Sequence, residues 1–221
     1  MRLFLASQDL GDFRGVLDRL VGDNRKALVI GNTRDYCQDE SKITNAIKKT
    51  LVNLANISID AQRLDLRKYF RKSSELEKYI AKIQPGLIFS IGGSVYCLAT
   101  AMHESGMDKI IQKGVQEDKF VYGGYSAGSM VTACDLLPYS VEERLSPEKA
   151  RETYGIEPYT FGLKLIEEHI VPHANREDHS EANQIRLAQI ARAGGKPILL
   201  NDTDVYLVEG EEKTVLHPGT K

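Results

Sequence analysis

Short apolar segments rich in β-branched residues alternate along the chain with longer segments in which apolar residues recur every three or four positions. The first pattern is typical of buried strands and the second of amphipathic helices. Their alternation predicts an α/β fold with a mostly parallel sheet. The predicted strands are residues 2–6, 27–31, 56–60, 87–91, 120–123, 169–171, 198–201, 205–208 and 214–216.

Two amphipathic helices are predicted between the early strands. Residues 41–54 carry isoleucines and leucines spaced three or four apart. Residues 74–83 begin next to serines that can cap free backbone N–H groups. We expect the apolar side of each helix to pack on a face of the sheet.

Two parts of the chain depart from this alternation. Residues 137–161 are polar, contain three of the seven prolines and include Ser146-Pro147, a typical start for one short helix. We expect this segment to be an excursion on the surface. Near the C-terminus, alternating apolar residues on both sides of Gly210 predict an antiparallel hairpin at the sheet edge. Because no linker or repeat separates these parts, we expect one domain over residues 1–221.

The composition argues against several classes of protein. Apolar residues make up 42% and charged residues 27% of the 221 residues, which is typical of a folded chain rather than a disordered one. The net charge of −2 gives no basic excess for nucleic acid. No apolar run approaches the roughly 18 residues of a membrane span. Neither nucleic acid nor a membrane is therefore an expected partner.

Cysteine usage and the N-terminal segment predict the compartment. The three cysteines are an odd number without metal-ligand spacing. Residues 1–10 become polar too early for a signal peptide. We therefore expect a reduced, cytoplasmic protein without a metal site.

The strongest chemical motif lies at residues 120–130. An apolar run there ends in the pentapeptide GYSAG, centred on Ser126, which matches G-x-S-x-G. The motif needs small residues on both sides of the serine, because a strand that turns sharply into a helix brings neighbouring backbone close. Such a turn exposes the hydroxyl at the carboxyl end of the sheet. Residues 127–136 are predicted to form the helix that follows.

A nucleophilic serine needs a neighbouring base to take its proton. Among the five histidines, His173 stands out because it follows the apolar segment IVP. A strand ended by proline there would deliver the imidazole to the carboxyl edge of the sheet, the same edge as Ser126. The other four histidines have structural interpretations. His103 lies in a helical pattern, His169 would begin a strand, His179 could cap a helix, and His217 lies in the C-terminal hairpin.

Three blocks of sequence together resemble one known family. They are FSIGGS at residues 89–94, GGYSAGS at residues 123–129, and GL followed by IVPH within residues 162–173. In order and spacing they resemble the S51 family of serine peptidases, which includes dipeptidase E and cyanophycinase. The resemblance implies a flavodoxin-like three-layer sandwich, similar to class I glutamine amidotransferases. It also implies that Ser126 is the nucleophile and His173 the base.

The turn after the strand at residues 87–91 is a candidate oxyanion hole. From the residues alone, its glycines allow close backbone approach and its N–H groups could bind an anion or an oxyanion. In the S51 family this turn supplies one oxyanion N–H. The resemblance therefore implies that Gly93 acts together with the N–H of Ala127.

Two departures from the family pattern concern the substrate. Asn often follows the oxyanion glycine in the family, whereas this chain has Ser94. Dipeptidase E binds an N-terminal aspartate through an arginine in the helix after its histidine, and Ala182 matches that position here. Arg186 lies one turn further on, and Arg176 lies earlier. Ser94 and Arg176 are therefore the candidate substrate-binding residues, and neither aspartyl nor cyanophycinase specificity is predicted.

The third member of the catalytic group is the one that the sequence determines least. The imidazole needs an acceptor on its second nitrogen, and a carboxylate serves best. The strand after His173 ends near Asn201 and Asp202, and S51 members carry an acidic residue in this segment. We predict Asp202, with Asn201 as the alternative. Asp204 and Asp135 are the remaining candidates.

The combined interpretation is a serine peptidase that hydrolyses small peptides or isopeptides through an acyl-enzyme, without a cofactor. We expect residues 137–161 to cover the site and restrict it to short chains, and a homodimer is one candidate assembly. Two alternatives remain open. One is an α/β-hydrolase esterase in the order Ser126, Asp202 or Asp204, His217. The other is a binding module that has kept the fold without turnover.

Overall fold

The computed structural model describes residues 1–142 and 145–219, and nine strands lie within them. Their bounds are β1 Arg2–Ala6, β2 Lys26–Ile30, β3 Asp60–Leu64, β4 Leu87–Ser90, β5 Val121–Tyr125, β6 Glu168–Val171, β7 Lys196–Leu199, β8 Val205–Glu209 and β9 Glu212–Leu216. Seven of these described strands form a central sheet in the order β3-β2-β4-β5-β1-β8-β9. β6 and β7 form a separate parallel pair.

The central sheet is mostly parallel. β1 to β5 run in one direction, so their carboxyl ends meet at one edge of the sheet. β8 pairs antiparallel with β1, and β9 pairs antiparallel with β8. The C-terminal hairpin predicted from the sequence is therefore confirmed, and it closes one side of the sheet.

Helices cover both faces of the central sheet. Their bounds are α1 Arg14–Val21, α2 Glu40–Ala55, α3 Ser73–Ile83, α4 Val95–Ser105, α5 Met107–Gln116, α6 Ala127–Met130, α7 Pro147–Tyr154 and α8 Ser180–Arg192. No helix among the described residues is long and apolar enough to cross a membrane.

The alternation of side chains along the strands produces two separate cores. In β1, Leu3 and Leu5 join the core formed with α3, α4 and α5, whereas Phe4 and Ala6 join the core formed with α1 and α2. The buried side chains of the central strands are mostly apolar, as expected for a parallel sheet covered on both faces. The predicted α/β fold with helices on both faces of a mostly parallel sheet is confirmed.

The strand expected at residues 56–60 is misplaced, because residues 56–59 form the turn between α2 and β3, which begins at Asp60. In this turn the N–H groups of Ile57 and Ile59 donate to the Leu54 carbonyl, which closes the helix. β3 itself is an edge strand with mostly exposed side chains, so it lacks the apolar run of a buried strand. The strand expected at residues 198–201 begins two residues earlier, as β7.

The helix expected at residues 127–136 is shorter than predicted. α6 ends at Met130, because the chain after it pairs with a later segment. The N–H groups of residues 162–164 donate to carbonyls within residues 131–134 over distances of 2.6–3.2 Å. These carbonyls are therefore occupied by non-local partners that the local sequence pattern does not reveal.

The segment 137–161 contains the predicted short helix, α7. Its N-cap residue Ser146 accepts a hydrogen bond from the Lys149 N–H at 3.2 Å. The segment is not confined to the surface, however. Tyr139 is buried, and its hydroxyl donates to the Ile170 carbonyl at 3.0 Å. The expectation of a surface excursion is therefore wrong for this part, which is anchored in the core.

A test of the layered packing compares two apolar residues of α2. Ile47 is 3% exposed and packs over Gly31, whereas Val52 is 50% exposed. We expect Ile47→Ala to lower the free energy of unfolding by about 2–5 kcal/mol, because it opens a cavity between helix and sheet. Val52→Ala should change it by less than about 0.5 kcal/mol. Urea denaturation measures both, and equal losses in the two variants would contradict the assigned helix face.

Candidate active site

Ser126 lies on a sharp turn between β5 and α6. Its backbone has φ 51° and ψ −116°, a conformation that L residues rarely adopt. A Cβ at Gly124 would lie 2.6 Å from the Gly128 carbonyl carbon, and one at Gly128 would lie 2.2 Å from the Ser90 carbonyl oxygen. Glycine is therefore required at both positions, and the strained turn presents the half-buried serine at the carboxyl edge of the sheet.

His173 lies between Ser126 and Asp202. Its Nε2 atom is 3.3 Å from Ser126 Oγ, and its Nδ1 atom is 2.6 Å from Asp202 Oδ1. The side chain is largely buried, and the backbone has a positive φ of 59°. The structure thus brings together the three residues for which the sequence predicted a joint role. A serine, an imidazole and a carboxylate in this order can transfer a proton from the hydroxyl to the imidazole.

A tight turn after β7 selects Asp202 rather than its neighbour. The Asn201 N–H donates to Asp204 Oδ2 at 2.8 Å, and the Asp204 N–H donates to the Asn201 carbonyl at 2.9 Å. The Asp202 N–H donates to Asn175 Oδ1 at 3.0 Å. This turn directs the Asp202 carboxylate to His173, while Asn201 stays exposed.

The other candidate carboxylates have different partners. Asp204 Oδ1 is 3.0 Å from His217 Nδ1, and Asp135 Oδ2 is 3.4 Å from His169 Nε2. The imidazole that meets Ser126 is therefore the one that pairs with Asp202. The esterase ordering through His217 is not the arrangement that the structure assembles around the serine.

The turn containing Gly93 lies against Ser126. A Cβ at Gly92 would be 3.1 Å from the Ser126 Cβ, and one at Gly93, where φ is 152°, would be 2.4 Å from the Thr33 carbonyl oxygen. Thr33 holds the turn on both sides, because its carbonyl accepts the Ser94 N–H at 2.7 Å and its hydroxyl donates to the Gly92 carbonyl at 3.0 Å. The approach is too close for a side chain at Gly93.

Two backbone turns therefore flank the serine hydroxyl. Ala127 is the first residue of α6, so its N–H has no acceptor within the helix. The Gly93 turn adjoins the same serine from β4. Backbone N–H groups at such positions can stabilise negative charge that develops on a substrate oxygen.

Ser94 has a structural role that the sequence analysis did not assign to it. Its hydroxyl accepts the Cys97 N–H at 3.3 Å as the N-cap of α4, and it lies 3.3 Å from the Leu145 carbonyl, to which it donates. The residue is fully buried. The expected contact between Ser94 and substrate is therefore not supported, because the hydroxyl already makes two hydrogen bonds to the backbone of the protein.

Of the two arginines near the histidine, one is buried and one lies at the surface. Arg186 is buried in an ion pair with Glu142, 2.9 Å away, and it also donates to Asn183 Oδ1 at 2.9 Å. Arg176 pairs with Asp178 at the surface. The guanidinium of Arg186 is therefore occupied by contacts within the protein. A contact between Arg176 and the substrate stays a prediction.

Asn183 is a site residue that the sequence analysis missed. Its Nδ2 atom donates to the carbonyls of Pro172 and His173, at 3.1 and 3.3 Å. Arg186 in turn holds the Asn183 oxygen. The only sequence signal was the position of Asn183 in the helix after His173, which does not reveal the contact. This buried network supports the backbone of the histidine from α8.

His179 is the second imidazole near the site. Its ring centroid is 4.7 Å from that of His173. Burial, followed by the proximity of the His173 ring, lowers the pKa of His179. Since the unperturbed pKa is already about 6.5, His179 is neutral at neutral pH, and it adds no positive charge beside His173.

Cys97 is the buried thiol nearest to the Gly93 turn in sequence. Burial raises the pKa of Cys97 to about 11, which keeps the thiol protonated and unreactive.

Among residues 1–142 and 145–219, no group of three His, Cys, Asp or Glu side chains is placed to hold a metal ion.

Comparison with models of known protein families identifies the family to which this chain belongs. The model of Peptidase family S51 matches residues 16–216, most of the chain. The chain belongs to peptidase family S51. As an S51 member it is a serine-type peptidase. No curated protein matches the chain.

Solved structures show the same fold as this S51 peptidase. A crystal structure from Listeria monocytogenes EGD-e, described as a candidate peptidase E protein, has a TM-score of 0.77 at 18% identity and covers 97% of each chain. The structure of a peptidase from an acI-B1 Actinobacterium has a TM-score of 0.66 at 16% identity, covering 99% of this chain and 95% of the other. At these identities the likeness establishes the fold.

The tight packing of the elbow generates a prediction. Gly128→Ala should reduce activity and lower the free energy of unfolding by about 1–3 kcal/mol, because its methyl group would press on the Ser90 backbone. Gly15→Ala in α1 is the matched control, since nothing lies within 4 Å of its Cβ. It should leave activity unchanged and stabilise the helix slightly. Thermal denaturation and peptidase assays measure both variants, and full activity in Gly128→Ala would contradict the assigned elbow.

Proposed function

We propose that this S51 peptidase hydrolyses short peptides through an acyl-enzyme formed on Ser126. The main support for this proposal is that Ser126 Oγ contacts one ring nitrogen of His173 and Asp202 contacts the other. In this proposal Ser126 is the nucleophile, His173 the general base and acid, and Asp202 the residue that orients the imidazole.

The first half-reaction forms the acyl-enzyme. Ser126 Oγ attacks the substrate carbonyl carbon while His173 Nε2 takes the hydroxyl proton. The negative charge on the carbonyl oxygen is stabilised by the N–H groups of Gly93 and Ala127. When the intermediate collapses, the C–N bond breaks and His173 returns its proton to the leaving amine.

The second half-reaction releases the product. A water molecule gives its proton to His173 Nε2 and attacks the acyl carbon. His173 then returns the proton to Ser126 Oγ as the ester bond breaks. The Asp202 carboxylate stays ionised and accepts a hydrogen bond from the Nδ1–H group throughout, which keeps Nε2 free to act as the base and stabilises the imidazolium when it forms.

The preference for short peptides is supported by contacts of the segment 137–161. Glu142 pairs with Arg186, which supports the His173 side of the site. The Leu145 carbonyl accepts the Ser94 hydroxyl on the side of the Gly93 turn. These contacts attach the segment to the turn that carries Gly93 and to the network that supports His173, and we propose that it limits the length of peptide that reaches Ser126.

The experiment is a hydrolysis screen of dipeptides and isopeptides with four proteins. Wild-type protein should hydrolyse members of the library, and Ser126→Ala and His173→Ala should each lose several orders of magnitude in turnover, because triad members act as a unit. His217→Ala is the matched control, since His217 pairs with Asp204, and it should keep turnover within about twofold of wild type.

Three other outcomes would contradict the assigned nucleophile, the assigned base and the assigned substrate class, respectively. Unchanged turnover in Ser126→Ala would exclude the serine mechanism. Loss in His217→Ala but not in His173→Ala would support the esterase ordering. If a fluorophosphonate probe labels Ser126 and yet no peptide is hydrolysed, the substrate class assigned here is wrong.

A further inference from the structure

The carboxyl end of β1 contributes no group to the chemistry described above, yet its last residues contact the backbone of the proposed nucleophile and base. The Ala6 carbonyl accepts the Ser126 N–H at 3.2 Å and the Ser129 hydroxyl at 2.8 Å. The hydroxyl of the next residue, Ser7, accepts the His173 N–H at 2.9 Å. Two consecutive residues therefore hold the backbones of Ser126 and His173 relative to one another.

Ser7 also contacts the segment that carries Asp202. Its hydroxyl donates to the Leu200 carbonyl at 3.2 Å, two residues before Asp202. Its backbone N–H donates to the Asp204 carbonyl at 3.1 Å, at the end of the same turn. Ser7 is fully buried, so water does not replace these contacts.

The backbone of His173 needs such support. Its φ of 59° lies in the left-handed region, which a residue with a Cβ adopts only when the surroundings hold it there. Ser7 holds the N–H of this residue, and Asn183 holds its carbonyl. Rotation of this backbone would move the imidazole away from Ser126.

We propose that Ser7 is a positioning residue, which sets the separation of His173 from Ser126 and from Asp202 through one hydroxyl. The proposal rests on the function proposed above. A hydroxyl suits this position because it accepts one hydrogen bond and donates another at the same time. Alanine can do neither, whereas threonine retains a hydroxyl that can do both and the cysteine thiol is a weak donor and acceptor.

The test measures how fast a fluorophosphonate probe reacts with Ser126. In this reaction the Ser126 Oγ–P bond forms, the P–F bond breaks and His173 takes the serine proton, so the rate depends on the geometry of the pair. Mass spectrometry of the labelled peptide gives the maximal rate, kinact, and the half-saturating probe concentration, KI. Ser126→Ala and His173→Ala are measured in parallel.

Ser7→Ala should lower kinact by about tenfold to a hundredfold, because small displacements of a catalytic group have effects of this size. KI should stay within about twofold, since the probe still binds. Ser7→Thr should recover most of kinact, and Ser7→Cys, of similar volume, should fall between threonine and alanine. If Ser7→Ala does not fold, the kinact of Ser7→Cys is compared with that of the wild-type protein instead.

Ser105→Ala is the matched control for the loss of a buried serine. Ser105 is also fully buried, accepts the Met107 N–H and donates to the Ala101 carbonyl, but it lies at the end of α4. It should lose a comparable amount of thermal stability and keep kinact within about twofold. This comparison separates positioning of the histidine from a general loss of stability.

The outcomes distinguish failure of this inference from failure of the proposed function. If Ser126→Ala and His173→Ala are unreactive while Ser7→Ala and Ser7→Cys keep full kinact, Ser7 has only a structural role and the inference is overturned. If His173→Ala reacts as fast as wild type, the proposed Ser-His mechanism itself is wrong.

Discussion

The contact between His173 Nδ1 and the Asp202 carboxylate, 2.6 Å long, joins segments 29 residues apart in the chain. It fixes which nitrogen of the imidazole faces Ser126, and it provides the negative charge that stabilises the imidazolium. Without it the imidazole could turn or take the other tautomer. In the proposed mechanism, the strained elbow and the flanking N–H groups would then lack a correctly placed base.

The topology of the sheet explains why these segments meet. β5 ends at Tyr125, directly before Ser126, and β6 and β7 end two and three residues before His173 and Asp202. The carboxyl end of β1 touches all three segments through Ala6 and Ser7. The separate β6-β7 pair is thereby held against the central sheet at the same edge. Backbone contacts at strand ends therefore join the segments that carry Ser126, His173 and Asp202.

Local patterns in the sequence predicted the α/β fold and the elbow, because strand and helix periodicity and the G-x-S-x-G spacing are local. They marked His173 only as a candidate, and the resemblance to the S51 family implied its role as the base. The sequence predicted Asp202 with Asn201 as the alternative, and the turn with Asp204 that orients Asp202 appears only in the folded chain. The short α6 and the misplaced strand at residues 56–60 reflect non-local pairing and an exposed edge strand. The buried hydroxyl of Ser94 likewise has partners distant in sequence.

NMR observation of the His173 Nδ1 proton tests most directly whether Asp202 is the partner of this histidine. A proton shared with a carboxylate over 2.6 Å should give a far-downfield resonance, assigned to His173 by its loss in His173→Ala. We expect Asp202→Ala to abolish this resonance and Asn201→Ala, a change at the exposed neighbour, to preserve it. Persistence of the resonance in Asp202→Ala, or its loss in Asn201→Ala, would contradict the assignment of Asp202 as the partner of the histidine.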